Sequence, residues 1–117
     1  MTLQECYAAM EADYEKAITY LRSEKLLSKY VLKFLDDKSY ELLCTSFDNK
    51  DWGEAFRAAH TIKGISQNLS FTKLIASATE LTESLRGGQC SDNSAELFEV
   101  LKADYAAAVG AITALDA

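Results

Sequence analysis

The chain contains no proline among its 117 residues and only five glycines. Proline interrupts helices more strongly than any other residue, because its ring fixes φ and it has no backbone N–H to donate. Alanine, leucine, glutamate and lysine, which favour helices, are abundant instead. Only short polar segments separate the apolar stretches, so the sequence predicts an all-α protein.

Apolar residues recur at helical spacing in successive segments. Thr2 with Glu5, and Asp51 with Glu54, have the spacing of a capping box and predict two helix starts. Ser23 is a third N-cap candidate. The predicted helices cover about 2–10, 13–22, 24–35, 39–47, 52–69, a stretch from 74 to the glycines at 87 and 88, and 94–115. The first two could form one bent helix.

Length and charge narrow the class of protein. At this length we expect one domain over residues 1–117. The formal net charge of −6 argues against general affinity for nucleic acid or anionic membranes, since those surfaces select a basic stripe. No apolar run approaches the roughly 20 residues that span a bilayer, and the first residues lack the layout of a signal peptide. We therefore expect a cytoplasmic protein without nucleic-acid or membrane partners.

The three cysteines, Cys6, Cys44 and Cys90, lie far apart in the sequence and lack paired ligand spacing. Their odd number and spacing suggest neither a disulfide framework nor a zinc site. A His-rich metal site is excluded because the chain has one histidine. We expect three reduced thiols and no bound metal.

That histidine, His60, lies in the middle of the helix predicted over 52–69. At about 100° per residue, one face of this helix is mostly polar and the opposite face is apolar. His60 is therefore predicted to point away from the core. Its face contains Gly53, Phe56, Arg57, His60, Lys63, Gly64 and Gln67, and the opposite face contains Ala55, Ala58, Ile62, Ile65 and Leu69.

A single exposed histidine most often has no chemical role, but its neighbours change that interpretation. Gly64 costs about 1 kcal/mol relative to alanine in a helix interior and needs a packing or access reason. Its missing side chain clears space one turn after His60. Phe56, one turn before His60, either belongs to a docking surface or packs under a preceding loop.

The stretch 55–74, AFRAAHTIKGISQNLSFTKL, closely resembles the active-site helix of the histidine phosphotransfer (HPt) domains of two-component phosphorelays. The shared motif is His60, two residues, and then Lys63 and Gly64. The resemblance implies an antiparallel four-helix bundle with a short additional N-terminal helix or helices. Ser70 stands where many members have glycine, and Thr82 where many have Gln or Glu facing the histidine.

The resemblance also implies roles. His60 would accept a phosphoryl group from an aspartyl phosphate and donate it again. Lys63 would supply positive charge to the phosphoryl oxygens, Gly64 would let the partner approach, and Gln67 would donate a hydrogen bond. The hydroxyl of Thr82, a backbone carbonyl or water would orient the imidazole. The predicted partner-binding residues are Gly53, Phe56, Arg57 and Lys73.

The implied partner is a response-regulator receiver domain, a hybrid sensor histidine kinase, or both, and we expect a monomer. Without a Gly-rich phosphate loop the chain is predicted to be a phosphoryl carrier with no ATP site and no cofactor, the metal and acyl phosphate belonging to the partner. Two alternatives stay open. One is a bundle of the same fold that docks a receiver-like partner without being phosphorylated. The other is a hydrolytic or acid–base enzyme using His60, for which no triad or paired carboxylates are found.

Overall fold

A computed structural model describes residues 1–116, and Ala117, the last residue of the predicted single domain, lies outside the described residues. The described chain forms seven α-helices. They are α1 (Leu3–Ala9), α2 (Tyr14–Leu21), α3 (Glu24–Lys33), α4 (Ser39–Asp48), α5 (Trp52–Leu69), α6 (Thr72–Ser84) and α7 (Ser94–Asp116). A single 3-10 turn, Phe34–Asp36, extends α3 toward the predicted end of that segment. No strand occurs in this range, and the predicted all-α class is confirmed.

The predicted capping signals lie at the starts of α1 and α5. At α1 the capping box is complete, because Glu5 N–H donates to the Thr2 hydroxyl and Thr2 N–H donates to the Glu5 carboxylate. At α5 only half of it forms. Glu54 N–H donates to Asp51, but the Glu54 carboxylate accepts from Arg57 instead of from the cap. The start of α5 is nevertheless the predicted one.

Residues with left-handed backbone separate several helices. Glu11, with φ of 55°, lies between α1 and α2, so the alternative of one bent helix is wrong. Ser70, with φ of 57°, lies between α5 and α6 and turns the chain back on itself. The α6 helix ends at Ser84, one turn before Gly87 and Gly88, whose positive φ values of 81° and 73° form the loop that follows.

Helices α4 to α7 form the predicted antiparallel four-helix bundle. Consecutive helices pack side by side, and α4 closes the bundle against α7. Tyr40 stacks on Tyr105 with ring centroids 3.9 Å apart, and Phe47 stacks on Phe98 at 4.3 Å. Residue numbers rise along α4 as they fall along α7, so these two helices are antiparallel as well.

The short helices α1 to α3 cover the end of the bundle where α5 turns into α6. Tyr7 of α1 is buried, and its hydroxyl donates to the Leu69 carbonyl at 2.8 Å. Phe71 lies between two aromatic rings of this cover, 5.6 Å from Tyr7 and 5.3 Å from Phe34. Large side chains thus close one end of the core and leave the middle of α5 uncovered.

Candidate functional site

The two faces of α5 differ as predicted. Ala55, Ala58, Ile62 and Leu69 are buried, and Ile65 is half-buried against the core. His60 is exposed in the middle of the helix. The small alanine side chains allow the backbones of neighbouring helices to approach α5 closely. A rigid helix therefore presents the imidazole to solvent from a fixed position.

Gly64 leaves an open surface one turn after His60. A Cβ added to Gly64 would meet no atom of the described residues within 4 Å outside its own stretch of helix. No neighbouring helix therefore needs this residue to be glycine. The missing side chain instead lowers the surface beside the imidazole, which gives access to an external group.

Two further polar residues continue this face toward the end of α5. Lys63 is half-buried and Gln67 is exposed. Gln67 also lines an open groove of about 650 Å³ together with Lys16 and Tyr20 of α2. Helix α2 was not among the predicted elements of the site. Its one visible signal is Tyr20, a large aromatic side chain that is 68% exposed.

Glu83, at the end of α6, and Arg86, in the loop after it, were also not among the predicted site residues. The Arg86 guanidinium lies 5.7 Å from the centre of the Phe56 ring, and this ring lies 6.1 Å from the His60 ring. Arg86 also donates to Glu83, from Nε to Oε2 at 2.9 Å and from Nη2 to Oε1 at 2.6 Å. The hydrogen bond from Arg86, with a smaller contribution from the charge of Lys63, lowers the pKa of Glu83.

Phe56 thus belongs to the site surface and to the core at once. It is half-buried and packs against the core cluster, while its ring carries Arg86 on one side. Gly53, one turn earlier, lies close to the backbone of Gly88 in the loop after α6. The end of α6 therefore borders the first turn of α5, which brings Arg86 to the His60 face.

The two predicted rim cations have partners within the chain. Arg57 is paired with Glu54 on α5 and stays on the His60 face. Lys73 at the start of α6 donates to Glu11 at 2.9 Å, which raises the pKa of Lys73. This pair links α6 to the N-terminal cover. Partner binding by Lys73 stays a prediction, and it would have to break this pair.

Thr82 is buried on α6 and donates its hydroxyl proton to the Ala78 carbonyl at 2.6 Å. That proton is therefore not free to reach the imidazole. No hydrogen bond joins Thr82 to His60 in residues 1–116. Orientation of the ring by Thr82 stays a prediction that this geometry does not support directly.

No group of three or more histidine, cysteine, aspartate and glutamate side chains in residues 1–116 is arranged to hold a metal ion. Cys6 is buried, Cys44 is half-buried and Cys90 is exposed, and all three are free thiols. In the same range no helix has the length and apolar character needed to cross a membrane.

Comparison with known proteins identifies the family of this chain. The family model of the Hpt domain matches residues 2–111, which is nearly the whole chain. No individual curated protein and no solved structure matches. The sequence resembles this family through the motif His60, two residues, and then Lys63 and Gly64, and this motif lies on the second helix of the four-helix bundle. The chain belongs to the Hpt domain family.

Proposed function

We propose that this chain is a histidine phosphotransfer protein that carries a phosphoryl group on His60. Hpt domains are phosphocarrier modules of two-component phosphorelays, not kinases, and they interact with receiver and kinase domains. We further propose which residue accepts the phosphoryl group, from which side the partner approaches that residue, and which side chains donate hydrogen bonds or positive charge to the transferred group. The supporting observation is the position of His60, exposed at mid-helix beside the bare surface at Gly64.

The chemistry follows from a neutral imidazole next to cationic groups. The lone pair of one ring nitrogen attacks phosphorus in an aspartyl phosphate of the receiver domain. A P–N bond forms, and the P–O bond breaks to release the aspartate carboxylate. Lys63 stabilises the charge on the phosphoryl oxygens, and Gln67 donates a hydrogen bond to that group or to the receiver. Reversal of these steps passes the group to a second receiver.

The remaining residues of the proposal contact the partner. Gly53, Phe56 and Arg57 border His60 on α5, and Lys73 lies at the start of α6. In this proposal the hydroxyl of Thr82, a backbone carbonyl or water orients the imidazole, although the Thr82 hydroxyl already donates its proton to Ala78. We propose that the chain works as a monomer in the cytoplasm, that it holds no ATP site or cofactor, and that its partners are a response-regulator receiver domain, a hybrid sensor histidine kinase, or both.

A docking module without phosphorylation is the second candidate. It requires only the shape of the His60 face, which any small uncharged side chain at position 60 would preserve. The two candidates therefore differ in what happens to bound phosphate and not in affinity for a receiver domain.

The test uses a receiver domain labelled with radioactive phosphate on its aspartate. After mixing, we expect label on this chain in an acid-labile, base-stable linkage, and we expect none on the His60→Gln variant. Binding of the same receiver to both proteins is the control for docking. Binding without transfer to the wild-type chain would favour the docking module, and label on the His60→Gln variant would place the acceptor elsewhere.

A further inference from the structure

Three cationic side chains border the His60 face, although the chain as a whole has a net charge of −6. Arg57 and Lys63 lie on α5, and Arg86 reaches the face from the loop that follows α6. Each arginine is paired with a glutamate three residues earlier, Glu54 for Arg57 and Glu83 for Arg86. In the unphosphorylated protein these carboxylates cancel much of the positive charge that a phosphoryl group would meet.

The Glu83–Arg86 pair approaches the imidazole from outside α5, through the Phe56 ring. Arg86 lies over the Phe56 ring, and the Phe56 ring neighbours the His60 ring. A guanidinium held in this way keeps its position on the aromatic face by cation–π attraction even if its carboxylate partner changes. The ring thus serves as a fixed base from which Arg86 can turn between two anions.

We propose that Glu83 is a positioning residue that holds Arg86 in the unphosphorylated protein and releases it to the phosphoryl group on His60. This regulation of the site rests on the proposed function. Glu83 then lowers the tendency of His60 to become phosphorylated, and Arg86 raises it once freed. The carboxylate and the phosphoryl group compete for one guanidinium.

The exchange is physically accessible because the pair is exposed. The Arg86 side chain is 61% exposed and the Glu83 side chain 53% exposed, so water and salt screen their attraction. A phosphoryl group carries more negative charge than a carboxylate and accepts paired hydrogen bonds from a guanidinium. Arg86 therefore gains more from the phosphoryl group than it loses by leaving Glu83.

The experiment measures the rate at which phosphoramidate phosphorylates His60. In this reaction the P–N bond to ammonia breaks, ammonia leaves, and a P–N bond to the imidazole forms. The variants are Glu83→Gln, Arg86→Gln and the double variant. In Glu83→Gln, Arg86 is freed from its carboxylate partner, and the rate should rise by about three- to fivefold. In Arg86→Gln the guanidinium is lost, and the rate should fall by about the same factor.

The double variant separates release of Arg86 from a general effect of charge. If Glu83 acts by holding Arg86, Glu83→Gln should change the rate less than about twofold when Arg86 is already Gln, because the pairwise coupling is lost. Glu83→Asp keeps the charge and the pairing, so it should behave like the wild type. The rate changes caused by Glu83→Gln and by Arg86→Gln should both become smaller in high salt.

Glu99→Gln is the matched control. Glu99 forms an exposed (i,i+3) pair with Lys102 on α7, so the variant removes the same charge away from the site and should leave the rate unchanged. Equal gains from Glu83→Gln with and without Arg86, or no gain at all, would overturn the proposal while leaving phosphorylation of His60 intact. A wild-type chain that takes up no phosphate at His60 would overturn the proposed function and this inference together.

Discussion

The α5–α6 hairpin and the N-terminal cover differ in the side chains that they bury and expose. At the hairpin, Ala55 and Ala59 face the core and charged groups face solvent, whereas the cover buries Tyr7 and packs it against Phe71. Small residues bring the backbones of the hairpin together and leave its outer face free. Large aromatic residues give the cover its stability. The comparison indicates that stability and chemistry reside in different parts of the chain.

Tyr7→Ala should have the largest effect, and that effect should fall on stability alone. Removal of this buried ring and of its hydrogen bond to Leu69 should lower the free energy of unfolding by about 3–5 kcal/mol. Urea denaturation measures this value. Tyr7→Phe, which keeps the ring, should cost only about 1 kcal/mol. If folded Tyr7→Phe protein accepts phosphate from phosphoramidate much more slowly than the wild type does, stability and chemistry do not reside in different parts of the chain.

Gly64→Gln should affect the site without affecting the scaffold. A longer side chain on this open surface should slow transfer from a receiver domain by at least about tenfold, a rise of about 1.4 kcal/mol in the barrier. Phosphoramidate needs little room, so its reaction should stay near the wild-type rate. Quenched-reaction assays with each of the two donors give the two rates and their ratio. Equal slowing with both donors would mean that position 64 disturbs the imidazole itself.

Gly64→Ala is the matched variant for that experiment. It should raise the free energy of unfolding by up to about 1 kcal/mol, because it removes a flexible residue from a helix interior and meets no neighbouring atom among the described residues. Thermal unfolding checks this. A loss of stability would show that the glycine is needed for packing, contrary to the geometry.

Lys63→Gln should slow phosphorylation of His60 both by the receiver domain and by phosphoramidate, whereas Gly64→Gln should slow only transfer from the receiver domain. A fixed charge next to the phosphoryl oxygens acts on the reacting group whatever carries it. We expect a loss on the order of tenfold, smaller than for a buried donor because water and salt reach this face. A loss confined to the receiver domain would assign Lys63 to docking.

Thr82→Val should give the smallest change. The hydroxyl of Thr82 donates to Ala78, so its removal should cost less than about 1 kcal/mol of stability and change the rate with phosphoramidate less than about twofold. The free energy of unfolding and the rate with phosphoramidate should be measured on the same variant protein. A large fall in rate with unchanged stability would assign orientation of the imidazole to this hydroxyl.

Sequence periodicity and capping signals predicted most of the fold and one face of the site. The helix around His60 begins and ends as expected, because Asp51 caps it and apolar residues recur on one side. Ser70 has a left-handed φ that glycine adopts without strain, which fits the glycine that the resemblance implied for this turn. These features depend on residues that are close in sequence.

The contacts that were missed depend on how helices lie against one another. Arg86 reaches Phe56 only because the end of α6 borders the start of α5. Lys73 pairs with Glu11, which lies 62 residues earlier in the chain. Helical spacing within one segment does not determine which residues of another segment will face it. The cross-helix half of the site therefore required the structure.

We propose that the imidazole of His60 is the group that carries the phosphoryl group in this chain. The most direct measurement is correlated phosphorus, nitrogen and proton NMR of the wild-type chain after reaction with phosphoramidate. The account predicts one phosphorus signal coupled to the ring of His60, with chemical-shift changes concentrated on α5 and at Arg86. A phosphorus signal coupled to any other residue, or an unmodified His60 ring under conditions that phosphorylate free imidazole, would contradict it.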